Sequence, residues 1–153
     1  MEVTIYTDGS ARGNPGPGGY GALLVSGKHR KEISAGYRKT TNNRMELLAV
    51  ITALESLKLG GLFVTIYTDS KYVCESIEKK WVFNWQRTQF KGKKNADLWQ
   101  RFLLIFHRQH ISMRWIKGHA GHTENEICDK LATSAAAGNS LLIDEGFESG
   151  LFN

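Results

Sequence analysis

The hexapeptide Val-Thr-Ile-Tyr-Thr-Asp occurs twice, at residues 3–8 and again at 64–69. Each copy is β-branched and aromatic and ends in an aspartate where the strand pattern gives way to a turn or helix. Each therefore predicts a strand carrying a carboxylate, Asp8 or Asp69, at its carboxyl end. The chain between the copies holds a hairpin and a helix, enough to lay the two strands side by side in parallel. At the ~4.8 Å spacing of neighbouring strands the two acids would face one another. The carboxyl edge of an open α/β sheet is also where such sheets bind ligands. A single strand-end aspartate can do no more than cap the next element, but a duplicated one points to a shared site.

Glu46 adds a third acid. On a helical wheel at about 100° per residue, Arg44, Thr52, Glu55, Ser56 and Lys58 share one side. Glu46 falls on the other side among Val50, Ala53, Leu54 and Leu57, the face that must pack on the sheet. Asn43 and Glu46 also have first-turn capping spacing, yet capping does not require an acid to interrupt the apolar stripe. Three carboxylates in one place repel and take up protons unless cations neutralise them. Oxygen-only donors suit hard divalent cations, and Mg²⁺ in particular where phosphate is handled.

The elements that position these acids are legible along the chain. Residues 3–7 read as a strand, and 20–36 as an antiparallel hairpin turning at Ser26-Gly27-Lys28. A helix is expected over 45–59, closed by Gly60-Gly61, then a strand over 62–68. Residues 71–90 read as helical in pieces, 96–109 as a helix and 111–116 as a strand. A last helix over 123–137 opens on a Thr123/Glu126 capping box. The tail from Asn139 is polar and acidic with scattered Phe and Leu, and is expected to lie without fixed structure. Strands first, then strands alternating with helices, indicate an α/β sheet of mixed direction. Gly16, Gly18 and Gly21 spell GxGxxG, but Pro17 lies inside the motif and a strand follows where a dinucleotide site needs a helix.

The 153 residues, 41% hydrophobic and 23% charged, fit one globular domain. No apolar run approaches the roughly 18 residues that cross a bilayer, and the first ten residues lack the basic start and apolar core of a secretory leader. Cys74 and Cys128 are too few for a disulfide framework and have no zinc-type spacing, so a reducing cytoplasm is the expected home. The net charge of +5 admits a polyanionic partner. Six of the twenty basic residues fall within 79–94, a stretch without an acid, interleaved with Trp81, Phe83, Trp85 and Phe90. That pattern suits phosphate neutralisation beside aromatic stacking, with Phe83 expected in the core.

Five blocks occur in fixed order: Tyr-Thr-Asp-Gly-Ser at 6–10 with Gly-Asn-Pro-Gly-Pro-Gly-Gly at 13–19, Thr-Thr-Asn-Asn-Arg-Met-Glu at 40–46, Tyr-Thr-Asp-Ser at 67–70, and Trp-Ile-Lys-Gly-His-Ala-Gly-His at 115–122, followed by Asn125-Glu126 and Cys128-Asp129. Together they resemble the bacterial type 1 ribonucleases H over about residues 1–138. The resemblance implies a ribonuclease H-like five-stranded mixed sheet flanked by helices. It also implies endonucleolytic cleavage of the RNA strand of an RNA–DNA hybrid, leaving a 5′-phosphate and a 3′-hydroxyl. Its carboxylate tetrad falls on Asp8, Glu46, Asp69 and Asp129, which would hold two Mg²⁺ ions, with Mn²⁺ as a substitute. Its mobile catalytic histidine falls on His119. Asp129 flanks the apolar stripe of Ile127, Leu131 and Ala135 and would otherwise read as a solvated helix residue; only the resemblance promotes it.

The resemblance further implies that Asn14, Asn42 and Asn43 read the minor groove and that Thr41 and Asn95 lie near a DNA phosphate. Trp81, Trp85, Lys91, Lys93 and Lys94 would belong to a basic protrusion, here shortened to Lys91-Gly92-Lys93-Lys94 between Phe90 and Asn95. A monomer without an organic cofactor is expected. The rival readings are another nuclease of the same fold, such as a transposase or integrase core or a junction resolvase, and a non-catalytic hybrid-binding module.

Overall fold

The computed structural model describes residues 1–118 and 121–153. Five strands form one sheet: β1 (Glu2–Ala11), β2 (Gly16–Ser26), β3 (His29–Thr40), β4 (Phe63–Thr68) and β5 (His110–Trp115). Their order across the sheet is β3-β2-β1-β4-β5. The first three pair antiparallel through tight connections, whereas β1, β4 and β5 run parallel and are joined by helical crossovers. The duplicated hexapeptides lie directly side by side, Val3 opposite Val64 and Tyr6 opposite Tyr67. The two tyrosine rings stack with centroids 5.2 Å apart.

The helices are α1 (Asn42–Glu55), α2 (Lys71–Glu78), α3 (Trp81–Arg87), α4 (Ala96–Phe106), α5 (Thr123–Ala136) and the short α6 (Glu145–Glu148). Helices α1 and α5 cover opposite faces of β1 and β2. A Cβ placed on Gly9 would lie 2.4 Å from the backbone of Met45 and Glu46, whereas one on Gly21 would lie 2.5 Å from the Cys128 carbonyl of α5. Gly21 is the cross-strand partner of Asp8, one residue from Gly9, so the two glycines serve the two faces. The core sits mainly between the sheet and α1, with Ile5, Ile66, Leu47, Val50 and Ile51 fully buried. It continues into an aromatic cluster in which Trp99 packs edge-on to Trp85 and Phe102. Phe83 packs against this cluster through Phe106, as its place among the core aromatics predicts.

Three local expectations are corrected. Helix α1 opens on Thr41, whose side chain accepts from the Arg44 N–H, and ends at Glu55 with Ser56 donating to the Ala53 carbonyl, short of Gly60-Gly61. Helix α5 has His122 at its N-cap without a side-chain hydrogen bond, so Thr123 lies inside the helix and the capping box does not form. The tail is built into the fold: Leu142 bridges to Tyr37 of β3, and Asp144 caps α6 by accepting from the Phe147 N–H.

Arg44, placed by the wheel with the polar side chains, is only 1% exposed. Its guanidinium is forked on Asp97 at 2.7 and 2.8 Å and on Asp144 of the tail at 2.8 and 2.9 Å. The wheel fails here because what covers that side of α1 comes from a hundred residues away. No described helix is long and apolar enough to cross a membrane.

Candidate active site

The acids meet where the parallel strands end. Asp8 lies near the end of β1, and Asp69 follows β4. The Asp69 carbonyl accepts from the Trp115 indole N–H at 3.0 Å, while the next residue, Ser70, caps α2. Glu46 arrives from the first turns of α1, brought against Asp8 because Gly9 has no side chain to hold the helix off. One carboxylate oxygen from each of Asp8, Glu46 and Asp69 lies within 4.8 Å of the others.

Burial makes this gathering costly. Asp8 is 6% exposed and Glu46 9%. Burial, the neighbouring Asp69 charge and a hydrogen bond shared with Asp129 push the Asp8 carboxyl up to about 8, against a smaller pull from the Gly9 N–H at 2.9 Å. Burial foremost, then the charges of Asp8 and Asp69, hold Glu46 well above the usual carboxylate range. One oxygen each of Glu46 and Asp69 is buried without a hydrogen-bond partner. Buried polar atoms normally find one. Orphaned oxygens in an oxygen-only donor set fit hard divalent cations, which would supply both the missing ligands and the missing charge.

Asp129 comes from α5, on the opposite side of the sheet from α1; it is close enough to help raise the Asp8 carboxyl, but it is not among the three acids whose oxygens gather within 4.8 Å. The close seat of α5 on Gly21 makes that approach available. His119 lies outside the described residues. The described chain just before it, at Gly118, passes so near the Asp69 carboxylate that an added Cβ would lie 2.6 Å from Oδ2.

Beside the acids runs a polar groove. Asn14, Thr41, Asn42, Asn43, Lys94 and Asn95 border one cavity of about 410 Å³. A second, of about 250 Å³, shares Asn43, Lys94 and Asn95 with it and adds Trp85 and Lys93. Asn14 joins the β1–β2 loop to α1 by accepting from the Asn42 N–H at 3.0 Å, while the Asn42 side chain accepts from the Ala11 N–H. Asn95 is buried, its side chain donating to the Tyr72 hydroxyl at 3.1 Å and accepting from Arg44. The Lys93 ammonium lies over the Trp85 ring at 5.2 Å. Trp81 and Lys91 are exposed and border neither cavity, and Lys79 lies over the Trp81 ring. Sequence reasoning missed Phe147 and Asn153, which also border the larger cavity. The scattered apolar residues of the tail were the available signal for them.

A mixed α/β sheet that collects unneutralised carboxylates at its parallel strand ends, next to a basic amide-lined groove, defines a hydrolase-like fold suited to phosphate esters. The family model described as RNase H matches residues 1–137, and the chain belongs to the ribonuclease H family. It is 51% identical to Ribonuclease H of Desulforamulus reducens, covering 94% of this chain and 92% of the relative. It is 52% identical to Ribonuclease H of Idiomarina loihiensis, over 95% and 94%. Among solved structures it resembles LC9-RNase H1, a type 1 RNase H with the type 2 active-site motif, at a TM-score of 0.81 and 32% identity over 99% of this chain and 81% of that one. It also resembles LC11-RNase H1, solved in complex with an RNA/DNA hybrid, at a TM-score of 0.67 and 28% identity over 88% and 96%.

Proposed function

We propose that this chain is an endoribonuclease that hydrolyses the RNA strand of RNA–DNA hybrids, leaving 5′-phosphate and 3′-hydroxyl ends. The observation that carries the reading is the acid cluster with its two orphaned oxygens, in a chain of the ribonuclease H family. A hybrid bound to LC11-RNase H1 supports the same substrate here. Asp8, Glu46, Asp69 and Asp129 are the residues that would hold two Mg²⁺ ions, or Mn²⁺ in their place. When bound, such ions neutralise the cluster, activate water and stabilise the departing 3′-oxygen.

The protein's own part is to keep the acids buried and immobile. The Gly9 N–H orients Asp8, and the Trp115 indole fixes the backbone of Asp69. His119 would move a proton at the reacting water or leaving group, a task to which the imidazole side chain is suited near neutral pH. Asn14, Asn42 and Asn43 would read the minor groove, where the 2′-hydroxyl distinguishes RNA from DNA. Thr41, Lys94 and Asn95 would take a phosphate of the DNA strand, and Trp81, Trp85, Lys91 and Lys93 would follow that strand outward. We further take residues 1–138 as the catalytic domain of a cytoplasmic monomer that uses no organic cofactor.

Labelled RNA–DNA hybrid, RNA duplex and DNA duplex, each incubated with and without Mg²⁺, test the reading. Cleavage confined to the RNA strand of the hybrid and dependent on the cation is expected. Cutting of duplex DNA would favour a transposase- or resolvase-like nuclease. Binding without cleavage would favour a passive module, which has no use for gathered like charges.

A further inference from the structure

One face of the sheet is covered over part of its width only. Helix α5 lies over β1, β2 and β3. On the same side β4 and β5 are open: Phe63 is 58% exposed, and His110, Ser112 and Arg114 are all exposed. Their chain neighbours Val64, Ile66 and Met113 point to the other side and are buried, as alternation along a strand requires. The pairing register arranges the open face in rungs. Tyr6, Tyr67 and Arg114 form the rung nearest the acids, Phe63 and His110 the farthest, with Thr65 and Ser112 between. Both outer rungs carry stacked rings, Tyr6 with Tyr67 at 5.2 Å between centroids and Phe63 with His110 at 4.7 Å.

This face runs into the candidate active site. Residues two apart on a strand share a face, so Tyr6 leads to Asp8 and Tyr67 to Asp69. Charge is divided across it. The bordering acids lie on the β1 side, where Glu2 begins the strand and Glu124 of α5 lies close enough to help raise the Tyr6 hydroxyl, after burial. The cationic side chain, Arg114, stands on β5 and has no ion-pair partner among the described residues. A polyanion would therefore be drawn over β4 and β5, away from β1. Phe63 is the one large apolar side chain exposed on these rungs, too little for an apolar protein interface. Aromatic rings, hydroxyls and an unpaired guanidinium instead match a nucleic-acid single strand, which offers bases to stack, polar edges to bond and phosphates to neutralise.

We propose that the open face of β4 and β5 is a track for single-stranded RNA. Where the RNA strand continues beyond its hybrid, the overhang leaves the acids across Tyr67 and Arg114 and reaches Phe63 and His110. The track rests on the hybrid reading of the active site and adds a preferred substrate class, hybrids with an RNA overhang. Kinetics of the full-length protein compare a blunt hybrid with the same hybrid bearing an overhang of about six nucleotides, a common site size for single-strand binders, on either RNA end or on the DNA strand. One RNA overhang should lower KM about three- to tenfold, the scale of one or two stacking contacts, and DNA overhangs should change it little. Phe63→Thr and Arg114→Gln alter exposed side chains and should leave Tm and blunt-hybrid kinetics near those of the unaltered chain, while together they remove most of the overhang advantage. Arg114→Gln alone should flatten the salt dependence of KM for the RNA-overhang hybrid by up to ~0.7 log units per decade, the contribution of one single-strand phosphate. Equal KM for blunt and RNA-overhang hybrids in the unaltered chain would overturn the track, as would an advantage that survives the double variant. A concentration-dependent dimer in sedimentation, lost in Phe63→Thr, would overturn it in favour of a second copy on this face. Failure of the unaltered chain to cleave even the blunt hybrid would instead overturn the hybrid reading, and the track with it.

Discussion

Arg44 and Glu46 stand two residues apart at the start of α1, both buried, and the chain treats their charges in opposite ways. Arg44 is surrounded by carboxylates that use its guanidinium fully, two hydrogen bonds to Asp97 and two to Asp144. Burial alone would raise Asp144, but the bonds from Arg44 and Thr40 outweigh it and hold the carboxyl below its ordinary value. Glu46 is surrounded by other acids, keeps an orphaned oxygen and is pushed well up. The first region is electrostatically finished within the protein. The second is left unfinished, and an unfinished buried site is where an outside ligand gains most.

The largest effect expected from breaking this contrast is at the acids. Asp8→Asn should cut hybrid cleavage in Mg²⁺ by about 10³-fold or more, on the scale of lost electrostatic groups in catalytic sites. The same substitution should stabilise the metal-free protein at neutral pH, because it removes a charge that the fold disfavours. Each kcal/mol so relieved raises Tm by roughly 2–4 °C in a chain of this size. Steady-state kinetics and a thermal melt in chelator check both halves, and a variant that loses stability along with activity would contradict the account.

Arg44→Met comes next and should go the other way. It leaves Asp144 and Asp97 facing each other without their cation, which typically costs about 3–5 kcal/mol for a buried pair. Tm should fall by roughly 6–20 °C. A melt with little change would mean that the Arg44 cluster is not the balanced element described here.

A pH sweep separates the two regions in one experiment. Asp8 titrates near 3.8 when unfolded and about 8 in the metal-free fold, so between those values the native state binds the extra proton. Metal-free stability should therefore decline as pH rises from about 5 to 8, and saturating Mg²⁺ should flatten that decline. Asp144 is lowered by folding, so its contribution is present above 3.8 and is lost only as pH falls below that value. Denaturant midpoints at pH 5, 6, 7 and 8, with chelator and with Mg²⁺, read out the first limb. A metal-free midpoint that climbs across this range would invert the assignment.

How much of this could be read in advance follows from the range of the interactions. The repeat fixes Asp8 and Asp69 because it is written in adjacent letters and parallel pairing brings identical letters together. Glu46 is legible from its wheel because the sheet face of α1 is a local property. Asp129 lies beside a stripe, not in it, and only the family pattern raised it; in the fold Gly21 admits α5 closely, which brings Asp129 toward Asp8 but leaves it outside the cluster of three acids. Arg44 was legible as a polar side chain but not as a buried one, since Asp144 closes over it from the far end of the chain. The tail's six apolar residues among fifteen fall at no regular interval, so periodicity does not show that it folds. Long-range coverage is what a one-dimensional pattern carries least well.

The smallest expected effect lies at the groove's basic rim, and it sharpens the contrast from outside. Lys93, Lys94 and Lys91 are exposed, so their charges are hydrated and cost the fold nothing, unlike either buried region. Lys94 borders both cavities, whereas the Lys93 ammonium already rests on the Trp85 ring. Lys94→Gln should therefore weaken hybrid binding more than Lys93→Gln, each by a few-fold in KM with Tm unmoved. Each lost phosphate contact should flatten the salt dependence by up to ~0.7–0.9 log units per decade. KM measured between 50 and 200 mM salt, roughly the range over which counterion release dominates, distinguishes a lysine that touches the backbone from one that only decorates the rim. An unchanged slope in Lys94→Gln would show that the phosphate seat is held by the amides alone. The basic loop would then serve encounter with the hybrid and not its retention, because a charge lost from the encounter step slows association without removing a bound contact.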